Sequence, residues 1–169
     1  EKVIRTTDRI TEIEPDNFEG WFDKGEAFLK TDNASKALES LNQALRIKGS
    51  DIESLEGKKK ALLKLERYDE VISVCDRIIS MNPENIESYF DRAKSYKNKG
   101  EYEKAVKDYE KGLDLDSSRE DMWNDKGLCE YKLERYEDGL DSFNNAIELN
   151  PNDKSFLNNK GHCLYKLER

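Results

Sequence analysis

The chain has 169 residues, 39% of them charged, and a formal net charge of −8. That acidic balance excludes a general nucleic-acid binder, which needs clustered Lys and Arg in excess to neutralise phosphate, and no run reaches the ~18 consecutive apolar residues of a membrane helix. Three cysteines, Cys75, Cys129 and Cys163, form no CxxC pair, so neither a disulfide framework nor a zinc site is implied and a reducing, cytoplasmic setting is expected.

Residues 1–17 read as a single helix closed by Pro15. From residue 18 the sequence comes into register with itself every thirty-four positions. A large apolar residue opens each repeat: Trp21, Leu55, Tyr89, Trp123 and Leu157. Four residues on, Gly25, Lys59, Ala93, Gly127 and Gly161 form a column that is small except at Lys59, and three further stand Phe28, Leu62, Tyr96, Glu130 and Leu164. The second part of each repeat carries Ala37, Val71, Ala105 and Gly139, then Leu41, Cys75, Tyr109 and Phe143, then Ala44, Ile78, Gly112 and Ala146. Spacings of four and three are helical. Gly49, Pro83, Ser117 and Pro151 break the pattern at each repeat's end.

Each repeat is therefore a helical hairpin, its small residues letting two helices touch and its large ones filling the groove beside them. One hairpin cannot bury both faces, so it must stack on the next. The partition is a second helix at 1–17, full repeats at 18–51, 52–85, 86–119 and 120–153, and a first helix at 154–169, forming one array over 1–169. Nine helices in antiparallel pairs are expected, without a strand, and with Gly25, Gly127 and Gly161 at helix crossings. The recurring phrase YKLER is the end of a first helix and its turn, with Tyr68, Tyr102 and Tyr136 starting the second helices. Lys24, Lys58, Arg92, Lys126 and Lys160 share a column in which long stems cover the hairpin and charged ends reach water. The pattern is under way at residue 1 and still running at 169, so the array is expected to continue in a longer chain.

These residues resemble the tetratricopeptide repeat: W-x3-G at Trp21 to Gly25 and at Trp123 to Gly127, the alanines Ala37 and Ala44, and the terminal Pro83 and Pro151. The resemblance implies an all-α, right-handed superhelical solenoid of antiparallel helix hairpins. It implies a protein-interaction scaffold that binds a peptide or helix of a partner in the concave groove of the first helices, with no cofactor and no catalysis. Members that hold acidic chaperone tails place Lys, Asn and Arg at set groove positions. Here the frame opening at residue 18 offers Phe22, Glu26, Gly57, Glu87 and Asp91, so a carboxylate clamp is not expected.

The groove candidates follow from the same frame. Phe22 and Phe90 sit one residue past the packing column, where they would be apolar anchors offered to solvent, with Asn124 and Asn158 in the same column; Tyr131, Tyr165 and His162 lie towards the other rim. Glu19, Glu53, Glu87 and Asp121 form one acidic column and Asp23, Asp91 and Asp125 another, with Lys30, Lys64, Lys132 and Lys166 near the opposite helix ends. Acids at helix starts and bases at helix ends complement the macrodipole. They also align into an acidic strip, so the expected ligand is basic with an apolar anchor. His162 beside Cys163 makes no dyad, because helical neighbours point about 100° apart. The alternative function is self-association: Leu157, Leu164 and Leu167 leave an uncovered face through which an uncapped C-terminal helix would form a homodimer.

Overall fold

The computed structural model describes residues 2–168, and among them every regular element is an α-helix. There are ten, one more than the nine expected, because the two half-repeats each add a helix to the eight of the four hairpins. They are α1 (Lys2–Ile13), α2 (Phe18–Lys30), α3 (Ala34–Ile47), α4 (Ile52–Lys64), α5 (Tyr68–Met81), α6 (Ile86–Asn98), α7 (Tyr102–Leu115), α8 (Glu120–Lys132), α9 (Tyr136–Leu149) and α10 (Lys154–Lys166). The chain divides into two compact units, Glu1–Met81 and Asn82–Arg169.

Capping sets the helix boundaries. Asn17, Asp51, Asn85 and Asp153 occupy one column, and each side chain accepts a backbone N–H of the following first turn, at 2.7, 2.8, 2.8 and 2.7 Å. The fifth member is Arg119, which makes no side-chain cap. Each hairpin turn is closed by a residue in the left-handed region: Asp32, Glu66, Gly100 and Glu134, with Glu168 in the same column after α10. The next residue's N–H then reaches back five residues, from Asn33 to the Phe28 carbonyl at 2.9 Å and from Arg67 to that of Leu62 at 3.0 Å. This double closure satisfies carbonyls that a helix end leaves orphaned. The turn itself thus explains why YKLER recurs.

In the first unit the core gathers Phe28, Leu55, Leu62, Val71, Cys75 and Ile78 from α2, α4 and α5. In the second it gathers Ala93, Ala105, Tyr109, Met122 and Cys129 from α6, α7 and α8. Crossing glycines permit the contact. A Cβ on Gly25 would stand 2.6 Å from Leu41 Cγ, and one on Gly127 would stand 2.8 Å from Phe143 Cε1. Gly161 is different: nothing lies within 4 Å of its added Cβ, so it is not at a crossing among the described residues.

The charged residues that stand in packing positions are paired instead of reaching water. Lys59, buried among fully buried Leu55 and Leu62, places its ammonium 2.7 Å from Glu56. Buried Glu130 accepts from the Ser142 hydroxyl at 2.6 Å and lies 2.8 Å from Lys126. The cation column also turns inward: Lys24 meets Asp8 at 2.7 Å, and Arg92 donates twice to Asp108, at 2.7 and 2.6 Å. Stacked helices bring an acid within reach of each of these ends, and an unpaired charge at such depth would be costly. Lys58 forms no ion pair among the described residues, with Asn42 and Val74 sixteen positions to either side; desolvation lowers its pKa more than the Glu70 charge raises it.

Candidate partner-binding faces

The first helices of the hairpins carry every candidate. In the first unit α2 packs beside α4. Phe22 is half-buried and its ring stacks on Phe18 at 6.0 Å, with the planes 11° apart. Glu19 is exposed and lies 3.2 Å from Lys48, whose ammonium also sits 3.8 Å from the Phe18 ring centroid. The backbone N–H and Lys48 together hold the Glu19 carboxyl below its ordinary value. Asp23, one residue past Phe22, is exposed and forms no ion pair among the described residues, and the same holds for Glu53 on α4.

The second unit is wired differently. Arg119 spans the N-terminal ends of α6 and α8: it donates twice to Asp121, both at 2.9 Å, and once to Glu87 at 2.6 Å. Asp121 also accepts the Met122 N–H at 2.9 Å, doing part of the work of the absent cap. Burial opposes ionisation of Asp121, but Arg119 and that N–H outweigh it and hold the carboxyl below its usual range. Phe90 is half-buried, as Phe22 is, but cations surround its ring. It packs on the core with its ring 6.1 Å from Tyr109, the Arg119 guanidinium carbon 5.0 Å and the Lys94 ammonium 5.1 Å from its centroid.

Asp125 is likewise engaged, 2.6 Å from Lys97 and accepting the Tyr109 hydroxyl at 3.2 Å. Burial and then the Asp125 charge push the Tyr109 hydroxyl well above its ordinary value. Asp91 is half-buried on α6, where its backbone carbonyl accepts the Ser95 hydroxyl at 2.8 Å. Asn124 on α8 accepts from the Asn159 amide on α10 at 2.9 Å. Tyr131 stands edge-on to Tyr136 at 5.5 Å and 6.4 Å from His162, while Asn158 is exposed and Tyr165 is 80% exposed. The second unit therefore joins Glu87 to Asp121, Asn124 to α10, and Tyr131 to His162, but its paired acids form no open strip.

Sequence reasoning missed Arg119 and Lys97, the cations that occupy those acids. Arg119 did carry a signal, as the one member of its column that cannot cap a helix. Cys163 is buried beside Gly139, and burial with the Glu130 charge raises its thiol pKa. Among the described residues no cluster of His, Cys, Asp and Glu is arranged to hold a metal ion, and no helix is long and apolar enough to cross a membrane.

Models of the tetratricopeptide repeat match residues 86–119 and 121–153, and a further model of the same repeat matches 18–51. The chain belongs to the tetratricopeptide repeat family. The matched spans leave out 52–85, where Lys59 stands in the Gly column and Cys75 in the large apolar one. No curated protein matches the chain. Among solved structures it is similar to YrrB, described as a tetratricopeptide protein with an unusual peptide-binding site, at 18% identity over 94% of this chain and 81% of that one, with a TM-score of 0.87. It is also similar to MamA, at 20% identity over 86% and 80% with a TM-score of 0.82. MamA from Desulfovibrio magneticus RS-1 gives 18% over 89% and 85%, with a TM-score of 0.85. At such identities the likeness is one of tetratricopeptide fold.

Proposed function

We propose that this protein is an interaction scaffold whose first helices bind a peptide or helix of a partner, and that α2 with α4 forms the part selecting a basic segment around an apolar anchor. The observation that carries this reading is the pairing of half-buried Phe22 with Asp23, a carboxylate that has no counter-ion among the described residues. A ligand cation can approach Asp23 without displacing a resident one, as it would have to at Asp121 or Asp125. Phe22 is only half-buried, which leaves surface for an apolar side chain of the ligand. The peptide-binding site of YrrB, a protein of the same fold, lends the reading general support.

Fluorescence anisotropy with two labelled peptides tests it, one carrying a single Leu flanked by Lys and Arg, the other its Asp and Glu counterpart. The basic peptide binds more tightly, salt narrows the difference because exposed charges are screened over ~8 Å at physiological ionic strength, and Asp23→Asn weakens it with melting unchanged. Equal affinity for the two peptides, or no loss in Asp23→Asn, refutes the reading.

A further inference from the structure

The cation column of the first helices is answered by the second helices that flank it. Lys24 on α2 meets Asp8 of α1 at 2.7 Å, and Arg92 on α6 meets Asp108 of α7 at 2.6 Å. Lys126 on α8 is held from three sides: by Glu130 at 2.8 Å, by Glu110 of α7 at 3.8 Å and by the Ser142 hydroxyl of α9 at 3.4 Å. These groups line a cleft of about 390 Å³ between α7 and α9, over α8.

The equivalent face of the first unit lies between α3 and α5, over α4, sixty-eight residues earlier, and each of the three partners of Lys126 is replaced there. Leu62 stands for Glu130, Asn42 for Glu110 and Val74 for Ser142. Glu70 and Ser73 stand for Asp138 and Asp141, and Arg77 for Asn145. The carboxylates at the lining positions fall from four to one and the cations rise from two to three, in a chain whose net charge is −8. The one acid, Glu70, is taken by Arg67 at 2.5 Å, while Arg77 donates to the Gly49 backbone carbonyl at 2.5 Å and meets no carboxylate among the described residues. Lys58 is half-buried, on the same side of α4 as fully buried Leu62, and has no ion pair among the described residues. Burial disfavours its charge, and the charges of Arg77 and Arg67 add to that effect against the opposing one of Glu70.

We propose that the face between α3 and α5 binds an acidic segment of a partner protein, one Asp or Glu carboxylate of which pairs with Lys58 in the place that Glu110 holds beside Lys126. An ammonium that has lost part of its water and has no counter-ion gains more from a carboxylate than an exposed one does, because screening is weaker around it. Arg67 and Arg77 add a positive field that favours the same ligand. A protein carboxylate is the group this column takes elsewhere, from Asp8, Asp108, Glu110 and Glu130. The face is flanked by second helices, whereas Phe22 and Asp23 belong to the groove of the first helices, so two ligands of opposite charge occupy separate surfaces.

The probe is the labelled peptide with one Leu among Asp and Glu, titrated into the full chain at low salt. Saturable binding is expected, weaker than that of the basic peptide, and Lys58→Met, which keeps the stem and removes the charge, weakens it at least about tenfold. Asn42→Glu supplies from α3 the acid that α7 supplies to Lys126, closes the site from within and weakens the peptide as much. Both variants should melt no lower than the parent, because each removes an unanswered charge, and neither should change binding of the basic peptide. Asp23→Asn leaves the acidic peptide unaffected, so failure of the groove reading and failure of this one are told apart. Absence of saturable binding, or binding that survives either Lys58→Met or Asn42→Glu, overturns the proposal. Inorganic phosphate that binds as tightly as the peptide and is lost in the same two variants assigns the face to a small free oxyanion, and this too overturns it.

Discussion

Gly127 and Gly161 occupy one column of the repeat on equivalent first helices, yet alanine should stabilise the chain at Gly161 and bring no gain at Gly127. The gain from removing a helical glycine is common to both, about 1 kcal/mol in propensity. At Gly161 nothing offsets it, because the new methyl has no neighbour within 4 Å. At Gly127 the methyl would stand 2.8, 2.9 and 3.0 Å from Phe143 Cε1, Cζ and Cδ1, where unstrained carbon contacts lie at about 3.5 to 4.0 Å. The ring must retreat by more than half an ångström, and it is fully buried. Overpacking of that kind costs about 1 to 3 kcal/mol, so Gly127→Ala ends neutral to clearly destabilised and Gly127→Leu falls further. For a chain of this size 1 kcal/mol moves Tm by about 2 to 4 °C. Thermal and urea melts followed by circular dichroism at 222 nm should place Gly161→Ala above the parent and Gly127→Leu below it. If Gly127→Leu melts with the parent, or Gly161→Ala melts below it, the assignment of the crossing is wrong.

Two further expectations concern the turns and a buried thiol. Replacing Glu66 or Glu134, held at φ of 55° and 61°, by Gly should stabilise the chain by about 0.5 to 1 kcal/mol each once glycine's larger unfolded entropy is subtracted, and so raise the urea midpoint; Gly100→Ala, at φ 77°, should lower it, and a fall in the two glycine variants refutes the strain argument. Burial pushes the Cys129 thiol up to about 12, so it should resist a thiol-disulfide reagent at pH 8 until the chain unfolds. The folded chain keeps a proton that the unfolded chain releases above about pH 9, so the stability this contributes is intact below that pH and is lost as pH rises towards 12. Melts at pH 8 and 9.5 should show a smaller alkaline drop for Cys129→Ala than for the parent.

The helices and turns were legible because they depend on neighbours along the chain. Asn17, Asp51, Asn85 and Asp153 advertise their caps, and the phrase around Tyr68 and Tyr136 advertises its turn, since both act within one helical turn. The crossing at Gly127 was legible for a related reason: a strict period transfers a contact from one repeat to the next. Charge was not legible in that way. Periodicity says which face Asp121 or Asp125 occupies, but whether a ligand can use it depends on whether a cation elsewhere in sequence, Arg119 or Lys97, reaches it first. Phe90 is a second case: its position and its half-burial match those of Phe22, while its surroundings include Arg119 and Lys94. Gly161 shows the limit of the period itself, because a column transfers a contact only where the opposing helix is present.

Arg119 has a consequence for how this array can change over generations. Where the residue before a repeat is Asn or Asp, that single side chain caps the next first helix, and the helix starts correctly whichever repeat follows. The repeat beginning at 120 has given up that autonomy, since its entry is organised by Asp121 and by an arginine whose other hand holds Glu87 of the repeat before it. Residues 86–153 should therefore behave as a pair. Rearrangements that separate the two should be rarer among descendants than those that shuffle the others, and an engineer recombining this array should cut on either side of the pair and not within it.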